Sequence, residues 1–208
     1  MNKKVFFCAC VFLCALGTSP SVLKAGYVCP LEIFTNNGSY NDNSDIVLYV
    51  EVSDAGAGRV NFTFFNESLV NSAIAAIYFD DGLLLDIAAI TNDLGTSFSQ
   101  PATPHNLPAG NTLNPPFVTT ENFSIDGDSP PPKNGVNPGE WVRITFTLKG
   151  DGEFGNVIDQ LDSGIIRMGA HIIALPDGSS GSAVNTPEPM TAALLMLSSL
   201  SLFYRRRK

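Results

Sequence analysis

Two short acidic clusters carry the residue types that hold a hard cation. Each cluster places two carboxylates around a glycine, in Asp126-Gly127-Asp128 and in Asp151-Gly152-Glu153. Oxygen ligands of this kind suit Ca²⁺, although neither cluster has the layout of a full EF-hand loop. Asp-Gly pairs also form ordinary turns. The sequence therefore predicts calcium ligands among Asp126, Asp128, Asp151 and Glu153, with plain turns as the alternative.

Two aromatic side chains lie where they could stack against a sugar. Trp141 falls on the polar face of its strand pattern, next to Arg143, and Tyr49 lies opposite the apolar face of another strand. Large aromatic rings combine an apolar face with a polar edge, which suits polysaccharide binding. The alternative is that Trp141 covers a sheet edge or packs under a neighbouring proline-rich segment.

The residues of the common catalytic motifs are scarce. The two histidines are His105, in a loop pattern, and His171, in a strand pattern. No serine lies in a Gly-x-Ser-x-Gly elbow, and no His-Glu-x-x-His sequence occurs. The sequence does not exclude a pair of carboxylates for glycoside hydrolysis, because the two groups must be close in the folded protein and not along the chain. We expect a protein that is not an enzyme.

The elements that would position these residues are mostly strands. Apolar residues alternate with polar ones along the segments 46–52, 60–64 and 141–148, which predicts strands with one buried face. The mostly apolar stretch 164–175 predicts a further, longer strand. A glycine-rich turn over 54–58 predicts a hairpin between the first two segments. Further strands are expected over 73–79 and 83–90, around the turn Asp80-Asp81-Gly82.

A proline-rich stretch divides the strand pattern. Residues 95–140 hold nine of the fourteen prolines, which predicts loops with short strands near Phe98 and over 117–123. One or two helical turns are expected over 155–161. Short antiparallel strands without a long helix favour an all-β domain, an antiparallel β-sandwich or jelly roll, over residues 26–177. Residues 178–186 predict a flexible linker.

Acidic residues dominate the central part of the chain. Residues 26–186 contain five basic and nineteen acidic side chains, a net charge near −14. A surface of this kind repels nucleic acid and anionic lipid. It suits divalent cations, basic partners or solubility alone, and we expect no nucleic-acid partner.

The first residues have the pattern of an export signal. Lys3 and Lys4 precede an apolar run over 5–16, and Ala25 is a plausible cleavage position, which predicts a signal peptide over 1–25. Three of the four cysteines lie in this leader, so that the mature chain would keep only Cys29. A lone cysteine forms no internal disulfide, and we expect a free thiol or a bridge between chains.

The last twenty-two residues combine a motif, an apolar run and a basic end. Pro187-Glu188-Pro189 precedes an uncharged run over 190–204. As a helix this run would be about 22 Å long, short of the roughly 30 Å of a hydrocarbon core. Four basic residues follow it: Arg205, Arg206, Arg207 and Lys208. They predict a cytoplasmic C-terminus and a marginal, removable membrane anchor. A permanent single-span anchor is the alternative.

This tail resembles the PEP-CTERM sorting signal of exported bacterial proteins. The resemblance rests on Pro187, Glu188 and Pro189, on the apolar run and on the basic stop, in that order. It implies that exosortase, a membrane enzyme, recognises and cleaves the tail, with the inner membrane holding residues 190–204 transiently. It further implies a Gram-negative bacterium that makes extracellular polysaccharide and forms biofilm. A weaker likeness to one group of PEP-CTERM ectodomains without assigned activity rests on segments 77–82 and 134–140.

These patterns together predict an exported protein in four parts. They are the signal peptide 1–25, the β domain 26–177, the linker 178–186 and the sorting signal 187–208. The expected function is that of a non-enzymatic cell-surface or extracellular-matrix protein sorted by exosortase. The alternative is a carbohydrate-binding module for extracellular polysaccharide that uses Trp141 and Tyr49. No cofactor is expected apart from calcium.

Overall fold

The computed structural model describes residues 26–35, 37–39 and 45–185. The strands are β1 Tyr27–Ile33, β2 Leu48–Gly56, β3 Arg59–Asn66, β4 Ala73–Asp80, β5 Leu84–Asn92, β6 Phe98–Ser99, β7 Ser124–Gly127, β8 Trp141–Leu148, β9 Arg167–Ile173 and β10 Gly181–Asn185. The helices are α1 Pro131–Asn134, α2 Phe154–Asp162 and a 3₁₀ turn at Gly110–Thr112. Within these residues no helix is long and apolar enough to span a membrane. The predicted signal peptide and the run 190–204 lie outside them.

The ten strands form one antiparallel, nearly closed sheet. Their order is β5-β8-β3-β2-β1-β10-β9-β4-β7-β6. The start of β1 pairs with β2 and its end pairs with β10, so that β1 joins a first half (β5, β8, β3, β2) to a second half (β10, β9, β4, β7, β6). The end strands approach each other where the Phe98 amide donates to Asn92 Oδ1 at 3.0 Å. The all-β, antiparallel prediction is confirmed.

Alternating side chains explain why the two halves close on a common core. β8 buries every second residue from Val142 to Leu148 and turns the others outwards. Aromatic rings from both halves meet inside: Phe62 and Phe79 lie edge to face with ring centroids 5.2 Å apart, and Phe79 and Phe146 lie 4.7 Å apart. Such pairs add to the free energy of burying their apolar area.

The proline-rich segment covers the outer face of the second half. A second apolar cluster forms there between the sheet and this segment, from Ala76, Tyr78, Ala102, Leu107, Phe117 and Val184. The proline-rich segment packs closely against β9 because Gly169 has no side chain: a Cβ there would lie only 2.7 Å from Leu107 Cδ2. The Tyr78 hydroxyl donates to the Pro104 carbonyl at 3.2 Å. Both faces of β4 are therefore buried, which explains its continuous run of buried residues.

The predicted linker over 178–186 is wrong. Residues Gly181–Asn185 form β10, every residue of which is buried. This strand pairs with β1 on one side and with β9 on the other, so it lies inside the sheet. The folded domain therefore extends from residue 26 through Asn185, beyond the predicted boundary at 177. The small residues Gly181, Ser182 and Ala183, which predicted a linker, fit in this strand because β10 is covered on both faces.

Other local predictions met mixed outcomes. The β2–β3 hairpin, the strand over 141–148 and the helical turns near 155–161 are confirmed. The turn at Asp81 joins two strands that do not pair: β4 pairs with β9 and β7, whereas β5 pairs with β8. The strand expected over 117–123 is absent from that segment, and β7 begins only at Ser124.

Candidate functional site

The first predicted calcium pair lies at the end of β7. The Asp128 carboxylate accepts hydrogen bonds from the Ser97 hydroxyl at 2.5 Å and from the Ser99 hydroxyl at 2.8 Å. These bonds stabilise the charged form and hold the pKa of Asp128 below its ordinary value. Asp126 Oδ2 accepts a bond from the Thr103 amide at 3.3 Å. Both carboxylates thus have protein donors that tie β6 and the proline-rich segment to β7.

The second predicted calcium pair, Asp151 and Glu153, lies between the end of β8 and the start of α2. Glu153 is the N-cap of α2 and forms a capping box with Asn156, in which the Glu153 amide donates to Asn156 Oδ1 at 3.0 Å. Capping satisfies backbone groups that a helix start leaves free. Asp151 is exposed. In the described part of the chain, no group of three or more His, Cys, Asp or Glu side chains could hold a metal. Calcium binding at either pair stays a prediction.

The predicted aromatic residues come together on the outer face of the first half. Tyr49 of β2 lies opposite Phe65 of β3, and Phe65 lies opposite Trp141 of β8. The three side chains are partly exposed and form one row across neighbouring strands, which we call the aromatic row. Two strand spacings of about 4.8 Å make it about 10 Å long. The Tyr49 and Phe65 rings are stacked with centroids 5.0 Å apart and planes 15° apart.

A positioned cation lies beside the aromatic row. The Arg143 guanidinium lies 5.2 Å from the centre of the Trp141 ring, and its Nε donates to Thr63 Oγ1 at 3.0 Å. A ring contact and a hydrogen bond together hold the planar group in place. Its remaining N–H groups can donate to hydroxyls or carboxylates of a ligand. Part of the Trp141 ring is taken by this contact, so a ligand would meet the ring edge and the guanidinium together.

Acidic side chains surround the other end of the row. The pKa of the Tyr49 hydroxyl is raised, first by partial burial and then by the negative charges of Glu67 and Glu51. The phenol therefore stays neutral at physiological pH and can donate a hydrogen bond. One end of the row offers donors from Arg143, and the other offers Tyr49 with carboxylate acceptors. This combination of ring surfaces and mixed polar groups suits a polyhydroxylated ligand.

Sequence reasoning found two members of the aromatic row and missed the third. Phe65 directly follows Phe64, so two apolar residues in succession hide the alternation at that point. The period of two that puts Val60, Phe62 and Phe64 in the core already places Phe65 on the opposite face. The pairing of β3 between β2 and β8 was not visible in the sequence, and that pairing is what aligns the row.

A histidine and a carboxylate lie on either side of β4 in the second half. His171 of β9 and Asp126 of β7 both lie opposite Ala76 of β4. Burial under the proline-rich segment lowers the pKa of His171, and the charge of Asp126 opposes this shift. The other histidine, His105, is exposed in the same segment.

The predicted sorting motif and basic stop lie outside the described residues. These are Pro187, Glu188, Pro189 and the four basic residues Arg205, Arg206, Arg207 and Lys208. The last described residue is Asn185, the end of β10. Only Thr186 separates it from Pro187.

Comparisons with known proteins add little to this picture. No family model matches the chain, and no curated protein matches it. Among solved structures, the chain is similar to the crystal structure of the GAE domain of GGA2p from Saccharomyces cerevisiae. The identity is 12%, the match covers 74% of this chain and 98% of that chain, and the TM-score is 0.26. A TM-score this low is too weak to bear on fold or function.

Proposed function

We propose that this chain is an exported, non-enzymatic surface or matrix protein, sorted by exosortase through its tail. The observation that carries the proposal is the order of Pro187-Glu188-Pro189, the apolar run 190–204 and the basic residues 205–208. As a helix of about 22 Å, the run is shorter than the roughly 30 Å hydrocarbon core of a membrane, which suits an anchor that is later removed. A basic end keeps the last residues in the cytoplasm and leaves the acidic domain outside.

The domain that would be delivered is a sandwich-type module. Its nearly closed sheet divides at β1 into two halves whose buried faces share one core. The second half is covered on its outer face by the proline-rich segment, whereas the first half presents its outer face to solvent. This difference makes the first half the surface that is available to a ligand of the cell exterior.

Cell fractionation tests the proposed sorting. The wild-type protein is expected at the cell surface or in the medium of its native host. Glu188→Ala removes the charged side chain that lies between the two prolines of the motif and that the enzyme is proposed to recognise. The variant is therefore expected to stay with the inner membrane. Glu67→Ala serves as the control, since Glu67 is an exposed carboxylate of the folded domain. Identical distributions of wild type and Glu188→Ala would contradict the proposal.

A second candidate function is carbohydrate binding by the aromatic row. The observation that favours it is the alignment of Tyr49, Phe65 and Trp141 on one partly exposed face, with Arg143 beside Trp141. Aromatic rings supply apolar contact area, and fixed polar groups supply orientation. An extracellular polysaccharide is the ligand class that fits an exported protein with such a face.

Affinity electrophoresis in gels with soluble polysaccharides tests this candidate. The full chain, kept in mild detergent, is run against dextran, a soluble cellulose derivative and polygalacturonate. We expect retardation by at least one of them, weakened about fivefold by Trp141→Ala, since one aromatic contact contributes about 1 kcal/mol. Thr145→Ala, on the same outer face but outside the row, is the control. Equal retardation of both variants and wild type, or no retardation at all, would rule the row out.

A further inference from the structure

The folded domain ends immediately before the sorting motif. Asn185 is 5% exposed, and its side-chain oxygen accepts a hydrogen bond from the Met168 amide at 2.6 Å. β10 is thus fixed in the sheet up to its last residue. Five Cα–Cα steps lead from Asn185 to Met190, where the apolar run begins. An extended chain covers at most roughly 18 Å in five residues. A membrane-bound tail therefore keeps the domain close to the membrane surface.

Both ends of the folded domain lie at the same end of the sheet. β1 and β10 are antiparallel, with Leu31 opposite Asn185. The start of β1 at Tyr27 therefore lies beyond Asn185 in the direction in which β10 leaves the sheet. We call this end, which contains Gly26 and Asn185, the exit end. The predicted leader and the predicted tail both connect to it.

Acidic side chains dominate the exit end. It is formed by the β2–β3 hairpin, the β4–β5 turn, α2 and the start of β9. Its carboxylates are Asp54, Asp80, Asp81, Asp151, Glu153, Asp159 and Asp162, and its cations are Arg59, Lys149 and Arg167. Two of these cations face carboxylates within the domain, because Lys149 pairs with Asp81 and Arg167 lies 3.8 Å from Asp80. The uncompensated charge at this end is therefore negative.

Apolar groups are exposed within the acidic surroundings. Ile165, between α2 and β9, is 54% exposed. A cavity of about 320 Å³ opens next to the point where the chain leaves, with Leu113, Pro115 and Val184 as its apolar lining. Arg167 also lines it and lies 3.8 Å from the Asp80 carboxylate. An apolar centre with a charged rim is the composition of a protein-binding surface.

We infer that the exit end is a docking surface for a basic, outward-facing surface of the sorting enzyme, an inference that rests on the proposed sorting by exosortase. The short connection holds this end against whatever binds the tail. Negative charge favours a basic protein surface over anionic headgroups, which attract basic segments instead. The substrate of the enzyme is then the tail together with the folded end of the domain.

Charge reversal at the exit end tests the inference in the native host. Asp159 lies on α2, is exposed and has no side-chain hydrogen bond in the described structure. In a pulse-chase of the full chain, Asp159→Lys is expected to slow removal of the tail about three- to tenfold, as loss of a complementary charge slows association. The matched control is Glu67→Lys, an exposed carboxylate beyond the last residue of β3, at the opposite end of the sheet.

A longer connection tests the same surface independently. Six Gly/Ser residues inserted after Thr186 let the domain drift away from the enzyme and lower its effective concentration there. Slower tail removal is expected. The same insertion after Leu94, an exposed loop residue at the opposite end, is expected to leave the rate unchanged.

The outcomes separate this inference from the sorting itself. If the wild type loses its tail and neither Asp159→Lys nor the insertion after Thr186 slows the loss, the docking surface is disproved while sorting stands. Faster removal in either variant would mean that the exit end obstructs the enzyme or rests on lipid, and it would overturn the inference as well. If the wild type keeps its tail, sorting by exosortase fails and the docking surface fails with it.

Discussion

Asn66 is a buried polar residue that links two connecting segments at one end of the sheet. Its side chain is fully buried and donates to the Val136 carbonyl at 2.9 Å and to Ser72 Oγ at 3.1 Å. Its Oδ1 accepts from the Ser68 amide at 3.1 Å. One amide thus bonds to groups of two connecting segments, 67–72 and 135–140, that have no regular ladder of their own.

Replacing this amide is expected to be costly. Asn66→Ala leaves the Ser68 amide without its acceptor, whereas the Val136 carbonyl keeps a bond from the Ile74 amide at 3.1 Å. The substitution should lower the free energy of unfolding by roughly 1 to 3 kcal/mol, measured by urea denaturation. Asn61→Ala removes a partly exposed side chain that accepts one bond from Thr145 Oγ1 at 2.8 Å, and should cost less than about 1 kcal/mol. Equal losses in both variants would show that the network is not the source of the effect.

His171 gives the domain a pH response of definite sign. Burial lowers its folded-state pKa below the unfolded value of about 6.5. Between these two values the unfolded chain binds more protons, so stability is full above about pH 7 and decreases as the pH falls below about 6.5. The Asp126 carboxylate weakens this dependence without reversing it.

A non-titrating replacement isolates that response. The difference in unfolding free energy between wild type and His171→Asn is expected to shrink as the pH is lowered from 7.5 to 5. Urea denaturation at each pH measures it, and other titrating groups cancel in the difference. A constant gap would mean that His171 is protonated as easily in the folded state as in the unfolded one, and a widening gap would mean that it is protonated more easily when folded; either result would contradict the prediction.

At the scale of elements, β10 decides where the domain ends. It hydrogen-bonds to β1 and β9 and buries Ala183 in the core. A chain that ends at Asn185 is expected to unfold cooperatively with a defined near-ultraviolet circular dichroism spectrum. A chain that ends at Ser180 loses a strand from inside the sheet and should not fold. If both truncated chains unfold alike, residues 181–185 are dispensable and the linker interpretation was right after all.

The sequence predicted those strands whose alternation is set by one buried and one exposed face. β8 and the β2–β3 hairpin are of this kind, and Trp141 and Tyr49 were placed on the outer face for the same reason. The sequence did not predict β10, because both faces of this strand are covered and its residues therefore show no alternation of apolar and polar side chains. The pairing of β4 and β5 with other strands was not predicted either, because a turn pattern does not show which strands pair across a sheet.

The whole molecule combines an acidic, folded body with two apolar ends. The two halves of its sheet close on a core of aliphatic side chains and phenylalanine rings. The one cysteine of the described residues, Cys29, is buried in β1. The solvent-facing aromatic row and the exit end lie on different parts of this body. Delivery through the tail and binding through the row can therefore be tested separately.

The most direct test of the proposed sorting is the intact mass of the protein recovered from the surface or medium of its native host, for wild type and Glu188→Ala. We predict a wild-type species that ends near Pro187 and lacks residues 205–208, and a variant that keeps them in the membrane fraction. A wild-type protein that retains Arg205 to Lys208 would contradict sorting and make the tail a permanent anchor.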